Sequence, residues 1–270
     1  MEKMLKDLSK SSLMTAIESN LFAFLPLFKE WSKAEIHDTP ELMWSITEIP
    51  FPLFNSVLRA RLSPDTTDDA INAAITRCKS KNVPMLWWTG PSTQPSDLGS
   101  RLSARGFQAA ELPGMAADLN TLPENVELPE KLAIQRVASD EALETWCRVL
   151  CTAFEMPDFV ADAFFDFSRS LGFDPHFPYR NYLGYLEDEP VSTSSLFLGA
   201  GVAGIYNVTT LKEARRKGIG TAMTAVPLVE ARSLGYRVGI LHSSESGFNV
   251  YRNLGFIEYC KIFQYIWSDE

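Results

Sequence analysis

The sequence predicts an α/β (α+β) protein built from two domains. Its 270 residues correspond to about two domains at roughly 150 residues each, and 46% apolar against 22% charged residues are enough to fill two cores. Segments with a helical period alternate with segments of period two. Two short patterns also recur at offsets of 149 and 152 residues: Leu102–Phe107 resembles Tyr251–Phe256, and Phe54–Val57 resembles Tyr206–Thr209. A duplicated domain is therefore expected.

Composition limits the function classes. Uninterrupted apolar stretches reach only about eight residues, as at Leu21–Phe28, and a membrane helix needs about 20. No apolar leader core follows the charged N-terminal residues, so we expect a cytoplasmic protein with no membrane partner. The net charge of −9 argues against a nucleic-acid partner.

The cysteines and histidines do not predict a metal site. The four cysteines and three histidines are scattered, without the paired spacing of zinc ligands. Cys147 and Cys151 lie one helical turn apart and are interpreted as small residues on a buried helix face.

A segment rich in proline and acidic residues, 121–130, divides the chain. It has neither a helical nor a strand period, so it is interpreted as a linker between a domain at 1–120 and a domain at 131–270.

The elements of the second domain follow in order. Leu132–Arg136 is a short strand, and Ser139 then caps a helix whose first turn is acidic. A second helix covers about 157–171, and a three-stranded meander follows at 182–186, 191–198 and 202–211. The chain continues with a helix at about 218–234, a strand at 236–241, a short helix at 247–254 and a closing strand at 262–267.

A dinucleotide-binding fingerprint is present but lacks its context. Gly199, Gly201 and Gly204 match Gly-x-Gly-x-x-Gly, and such a motif binds pyrophosphate only where a helix begins directly after it. The residues that follow are β-branched and aromatic and favour a strand. These glycines are therefore expected to form a hairpin turn.

A second glycine motif has the context of an anion site. Arg215, Arg216 and Lys217 are followed by Gly218, Ile219, Gly220 and Thr221, after a strand and at the start of a helix. Glycines allow a ligand to approach the backbone, and helix-start amides and the helix dipole favour an anion. A solvated, charged helix entry is the alternative interpretation.

This Arg-x-x-Gly-x-Gly motif, followed about thirty residues later by Tyr251-x-x-x-Gly255-Phe256, resembles the GCN5-related N-acetyltransferase (GNAT) superfamily. The order of elements over 131–270 is also similar. The resemblance implies two GNAT-like domains, each with a mixed, mostly antiparallel sheet flanked by helices. It also implies acetyl-CoA as co-substrate and no metal.

The resemblance implies roles for particular residues. The loop and helix start at 215–221 would bind the acetyl-CoA pyrophosphate, and the main chain of Val208, Thr209 and Thr210 would pair with the pantetheine arm. Tyr251 would be the general acid that protonates the thiolate. Ser244 stands where the family commonly has an asparagine, which puts its pantetheine contact in doubt, although its hydroxyl can still donate.

The base and the acceptor stay open. His242, Glu245 or water alone are the alternatives for removing the amine proton. Asp158, Asp162 and Asp166 recur every four residues, either as an acceptor wall that attracts a cation or as a solvated helix face. The aromatic residues beside them are interpreted as core: Phe159, Phe164, Phe165 and Phe167.

The first domain resembles a degenerate copy. At the position of the glycine loop it has Leu62–Asp69, with no glycine and three acidic residues, which would repel a pyrophosphate. Leu102 takes the place of Tyr251 and has no proton to donate. A single active site is therefore expected, in the second domain.

The expected function is acetyl transfer to a small-molecule or peptide amine by direct attack on the thioester. The alternatives are a transferase with another acyl donor or a macromolecular acceptor, and a non-catalytic CoA-binding sensor. A monomer and a homodimer are both compatible with a duplicated chain.

Overall fold

The computed structural model describes residues 3–269. Along the chain lie helix α1 and strands β1 to β3, then α2, β4, α3, β5 and β6, then α4 and α5, strands β7 to β9, and finally α6, β10, α7 and β11. The helices are α1 Lys10–Phe24, α2 Thr67–Lys81, α3 Leu98–Ser103, α4 Asp140–Ala153, α5 Asp158–Leu171, α6 Ile219–Ser233 and α7 Phe248–Asn253. The strands are β1 Glu35–Asp38, β2 Met43–Ile46, β3 Ser56–Leu58, β4 Met85–Thr89, β5 Gln108–Asp118, β6 Leu132–Arg136, β7 Tyr179–Leu186, β8 Glu189–Gly199, β9 Val202–Thr210, β10 Val238–His242 and β11 Ile257–Trp267.

The chain forms two compact units whose boundaries differ from the sequence-based ones. Unit 1 contains 1–20 and 114–259, and unit 2 contains 21–113 and 260–270. Residues 3–20 therefore belong with the second half of the chain, and residues 260–269 belong with the first half. A single boundary at 121–130 cannot describe units that exchange terminal segments in this way.

Segment 121–130 lies inside unit 1 and connects β5 to β6. It has almost no regular structure, as its prolines predict. Arg232 of α6 holds its beginning, donating hydrogen bonds to the carbonyl oxygens of Leu122 (2.7 Å) and Pro123 (3.0 Å). It is therefore an anchored connection within a unit.

The sheet of unit 1 has the order β5-β10-β9-β8-β7-β6. Strands β6 to β9 form the expected antiparallel meander, β9 and β10 are parallel, and β10 and β5 are antiparallel. A core of side chains from the sheet and α6 includes Leu196, Ile205, Met223, Leu228 and Leu241. The mixed, mostly antiparallel sheet with flanking helices is confirmed.

The local signals of the second half are confirmed as well. Ser139 caps α4, its Oγ accepting a hydrogen bond from the backbone N–H of Ala142 (3.2 Å). Ala200 and Gly201 form the two-residue turn between β8 and β9, both with positive φ (54° and 72°). Positive φ at both central residues is typical of a hairpin turn, so the Gly199–Gly204 fingerprint does not open a helix.

Unit 2 has strands β1 to β4 in sequence order, with β11 beside β4. The pairs β1–β2, β2–β3 and β4–β11 are antiparallel, and β3–β4 is parallel. Its core contains Ile71, Met85, Trp87, Leu98 and Leu102, each fully or almost fully buried.

The structure supports the duplication. The series β3-α2-β4-α3-β5 has the same order as β9-α6-β10-α7-β11. Helices α2 and α6 both have 15 residues, α3 and α7 both have 6, and β5 and β11 both have 11. Counterparts begin 149 to 153 residues apart, at Thr67 and Ile219, Met85 and Val238, Leu98 and Phe248, and Gln108 and Ile257.

One helical stretch, Lys10–Glu30, is long and apolar enough to qualify as a candidate membrane span by length and composition. The sequence expectation missed it because isolated polar residues interrupt its apolar runs. Ile17 is fully buried, and Leu21 and Phe28 are less than a tenth exposed. In all, 44% of its apolar window is buried, and both the core helix of a folded domain and a signal sequence have such a length and composition.

Candidate functional site

Strand β9 extends beyond the residues that pair with β10. The parallel register joins Ala203 to Gly239, Gly204 to Ile240 and Ile205 to Leu241, whereas β9 continues to Thr210. Within the described chain, the edge of β9 from Tyr206 to Thr210 therefore has no strand partner on the β10 side. An unpaired edge of this kind can pair with an extended ligand.

The opening coincides with a bulge in β9. The register with β8 shifts between Thr193 and Ser195, and Asn207 lies opposite this shift with φ at 53°. Asparagine tolerates this left-handed conformation better than most residues. The bulge directs the side chains of Tyr206 and Asn207 differently from those of a regular strand.

A basic loop connects β9 to α6. Arg215, Arg216, Lys217 and Gly218 are all exposed. The guanidinium of Arg215 donates from Nε to the carbonyl oxygen of Thr210 (3.0 Å), which links the loop to the end of the strand. Arg216 has a φ of 63° and Gly218 a φ of 77°. The two positive values turn the chain tightly into α6.

The first turn of α6 fits an anion. Gly218 is its N-cap, and the first turn contains no acidic residue. A Cβ built on Gly220 meets no atom within 4 Å, so there is open space beside the helix start. The amides of the first turn have no acceptor within the helix, and the helix dipole adds positive potential. The predicted anion loop therefore has suitable local geometry.

Tyr251 lies on α7, partly buried against the unit 1 core. Its ring meets that of Phe256 edge to face, with centroids 6.2 Å apart. Desolvation raises the pKa of its hydroxyl to about 12, so the proton stays bound throughout the physiological range. Helix α7 also contacts α6.

Ser244 lies beside Tyr251 and caps the turn that leads into α7. Its Oγ accepts a hydrogen bond from the N–H of Gly247 (3.2 Å) and lies 3.2 Å from the Oγ of Ser246. A Cβ built on Gly247 would approach the Tyr251 ring to 2.7 Å and Ser244 Oγ to 3.3 Å. Gly247 therefore allows the two predicted site residues to lie close together.

His242 ends β10, and its environment makes it a weak base. Desolvation lowers the pKa of the imidazole to about 4, against a smaller opposing effect of a hydrogen bond to the backbone of Ile17. Its ring packs edge to face against Tyr206, with centroids 6.0 Å apart. At neutral pH the ring is uncharged. Glu245 is exposed, three residues further on.

Asn20 of α1 reaches the same region, which the sequence did not indicate. Its side chain is fully buried. Nδ2 donates to the carbonyl oxygen of Gly199 (2.8 Å), and Oδ1 accepts from the hydroxyl of Tyr206 (2.7 Å). No local pattern shows that two residues 186 positions apart meet.

The acidic residues of α5 match the solvated-face interpretation. Asp158 and Asp162 are exposed, and Asp166 is partly exposed. Of the four phenylalanines predicted to lie in the core, Phe164 and Phe167 are buried and Phe165 is partly buried. Phe159 is 40% exposed, so its prediction as a core residue is wrong. It lies in the first turn of α5, where one face of the helix is solvated.

The thiols of α4 are buried as predicted, and burial raises the pKa of Cys151 to about 11. Among residues 3–269, no group of three or more His, Cys, Asp or Glu side chains is arranged to hold a metal ion.

Unit 2 has no comparable anion loop. The first turn of α2 contains Asp68 and Asp69, and Arg101 and Arg105 bind Asp68 at 3.2 and 3.1 Å. Leu102, the counterpart of Tyr251, is fully buried. One of the two acidic residues at the helix start, Asp68, is thus paired with the unit's own arginines.

The chain is similar to known proteins in its structure and not in its sequence. No protein-family model matches the sequence, and no curated protein matches it.

Several solved structures share the fold over nearly the whole chain. A GCN5-related N-acetyltransferase from Kribbella flavida is 17% identical with a TM-score of 0.71, over 93% of this chain and 96% of that one. One from Sphaerobacter thermophilus is 16% identical with a TM-score of 0.61, over 99% and 95%. A tandem GNAT protein from the clavulanic acid biosynthesis pathway is 11% identical with a TM-score of 0.60, over 98% and 96%.

Proposed function

Because the chain has the tandem GCN5-related N-acetyltransferase fold, we propose that it transfers an acetyl group from acetyl-CoA to a primary amine. The amine nitrogen attacks the thioester carbonyl carbon, the C–S bond breaks, and the sulfur receives a proton. The acceptor is a small molecule or a peptide. The observation that carries the proposal is the basic loop Arg215–Gly218 leading into α6, next to the unpaired edge of β9.

The loop and the first turn of α6 would hold the pyrophosphate. Exposed cations at 215–217 and the free amides of 219–221 supply charge and hydrogen bonds to the same volume. The open space beside Gly220 leaves room for the phosphate oxygens. In an acidic protein, this is the one run of three consecutive basic residues.

The unpaired edge of β9 would hold the pantetheine arm. Val208, Thr209 and Thr210 offer main-chain donors and acceptors directly before the basic loop. An arm that starts at the pyrophosphate and runs back along this edge brings the thioester towards Asn207 and Tyr206. A backbone amide at the bulge can then polarise the carbonyl.

Tyr251 would supply the proton to the departing thiolate. Its raised pKa keeps the phenol neutral, and its position on α7 beside Ser244 is compatible with a contact to the sulfur end of the arm. The hydroxyl of Ser244 accepts the N–H of Gly247 in the turn before α7, and its proton is available to a ligand when the neighbouring Ser246 hydroxyl is the donor of their shared hydrogen bond.

The acceptor proton leaves without a strong base. An imidazole with a pKa of about 4 binds protons too weakly to deprotonate an ammonium group. The proposal therefore gives proton removal to water, with the amine entering as the free base.

The test is acetyl-CoA binding, measured by calorimetric titration and by the shift in Tm. Wild type should bind and gain stability with ligand concentration, whereas Gly218→Glu should lose binding because a carboxylate enters the anion loop. Gly106→Glu is the control, since Gly106 also has a positive φ (87°); a Cβ built on Gly106 meets no atom within 4 Å, and one built on Gly218 meets only Pro129 Cγ, at 3.5 Å. Equal binding by wild type and Gly218→Glu, or none by wild type, would contradict the proposal.

A further inference from the structure

Asn207 is the centre of a buried hydrogen-bond network on β7, β8 and β9. Its Nδ2 lies 3.0 Å from Ser195 Oγ and 3.2 Å from Tyr179 Oη. Ser195 Oγ in turn lies 2.7 Å from Asn181 Oδ1, and Tyr179 Oη lies 3.2 Å from Ser195 Oγ. Asn181, Tyr179 and Ser195 are each less than a tenth exposed.

The donors and acceptors of this network can be assigned in one consistent order. The single hydroxyl proton of Ser195 goes to Asn181 Oδ1, so Ser195 Oγ is left as an acceptor for Asn207 and Tyr179. The hydroxyl proton of Tyr179 goes to Ser195, so its oxygen also accepts from Asn207. The Asn207 amide nitrogen therefore donates to both oxygens, which sets the orientation of the amide.

The carbonyl oxygen of the Asn207 side chain takes no part in this network. Asn207 Oδ1 accepts no hydrogen bond from any residue in the range 3–269, and the side chain is partly exposed. A held amide with an unoccupied oxygen is a fixed hydrogen-bond acceptor. It lies one residue before Val208, on the side of the bulge away from the basic loop.

We propose that Asn207 Oδ1 binds an N–H of the acceptor amine and so directs the nitrogen lone pair at the thioester carbonyl. The inference rests on the proposed function and names the residue that orients the acceptor. Tyr179, Ser195 and Asn181 are positioning residues, since they act through Asn207.

The network also defines the charge of the acceptor. Its members are amides and hydroxyls, with no carboxylate to stabilise an ammonium group. Burial raises the pKa of Tyr179 to about 12 and also raises those of Tyr206 and Cys147, so these neighbours are neutral. The charged residues of α4, Asp140, Glu141, Glu144 and Arg148, are exposed, and α1 carries buried Glu18. The site suits an amine bound as the free base, such as an α-amino group with a pKa near 7.7 to 8.0, over a lysine-type amine near 10.4.

The test measures thiol release from acetyl-CoA with glycinamide, glucosamine and Nα-acetyl-lysine amide as probes. For the probe that wild type acetylates fastest, Asn207→Gly should lower kcat/KM about tenfold, chiefly by raising KM. The Kd for acetyl-CoA should not change. Glycine accepts the φ of 53°, so the backbone is preserved. At pH 7.5 glycinamide should outrank Nα-acetyl-lysine amide.

Asn82→Gly is the matched control, because exposed Asn82 in unit 2 has the same φ of 53°. Ser195→Ala releases one of the two bonds that hold the amide and should raise KM less than Asn207→Gly does. An unchanged KM in both site variants, or an equal loss of acetyl-CoA affinity, would overturn this inference and leave the proposed function standing. Absence of thiol release by wild type with all three probes counts against both.

Discussion

Among single residues, Tyr251 has the most direct role in the proposed reaction, as the proton donor to the departing thiolate. Burial keeps its hydroxyl protonated, and it lies beside Ser244 in the turn between β10 and α7. A proton donor is needed only when the C–S bond breaks, so its removal should affect turnover and leave binding unchanged.

Tyr251→Phe should lower kcat for thiol release by a factor on the order of 10² or more, with an unchanged Kd for acetyl-CoA. Phenylalanine preserves the edge-to-face contact with Phe256, so stability should change little. Unchanged kcat in this variant would exclude Tyr251 as the acid.

The raised pKa of Tyr251 also predicts the alkaline side of the pH profile. Because the phenol keeps its proton up to a pH of about 12, activity should not fall through loss of this proton between pH 7 and 10. Stopped assays of kcat across that range, on protein shown by circular dichroism to stay folded, provide the measurement. A descending limb near pH 9 that is absent from Tyr251→Phe would contradict the assignment.

His242 predicts an acid-sensitive stability. Its folded pKa of about 4 lies below the ordinary value of 6.5, so the unfolded chain binds the proton more readily. Stability should therefore fall as the pH drops from about 6.5 to about 4, by up to roughly 3 kcal/mol. Urea unfolding of His242→Gln should show a flatter profile in this window, whereas exposed His176→Gln should follow wild type.

Among the elements, local sequence patterns predict correctly the caps, turns and loops that are formed by residues close together in the sequence. The Ser139 cap, the Ala200-Gly201 turn and the Arg215–Gly220 loop all follow from residues within a few positions of one another. Asn207 and Asn20 were missed because their partners lie up to 186 positions away. The signal available for Asn207 was its residue type, since asparagine in a β-prone run is a candidate for a bulge with positive φ.

The attachment of α1 to unit 1 gives an element-scale prediction. Asn20→Ala should destabilise the protein by about 2 to 4 kcal/mol, because it removes the two buried hydrogen bonds that join Asn20 to the carbonyl of Gly199 and to the hydroxyl of Tyr206. Chemical denaturation measures the loss. Exposed Asn253→Ala is the control, and a loss of similar size in that variant would contradict the stated cause.

At the scale of the whole molecule, the terminal exchange predicts that the halves are interdependent. A fragment of residues 131–270 lacks the segments 3–20 and 114–130 of unit 1 and carries the part of β11 that belongs to unit 2. It should therefore show no cooperative unfolding transition in thermal denaturation. A sharp transition at the Tm of the full chain would contradict the division into these two units.

The duplication explains why one unit retains the features of a cofactor loop and the other does not. Both have a 15-residue helix after the corresponding strand, but α6 has a glycine N-cap and no acid in its first turn, whereas α2 has two aspartates there, of which Asp68 binds Arg101 and Arg105. The strand-helix-strand-helix-strand series is common to both units, and the chemistry differs at the helix start and at the position that Tyr251 and Leu102 share.

Acetyl transfer itself is the most direct test of the central claim. Full-length protein is incubated with acetyl-CoA and the panel of primary amines, and mass spectrometry detects any acetylated amine alongside the free thiol. Wild type should give an acetylated product, and Tyr251→Phe and Gly218→Glu should give much less. Binding of acetyl-CoA without any acetylated amine would contradict it and indicate a CoA-binding sensor.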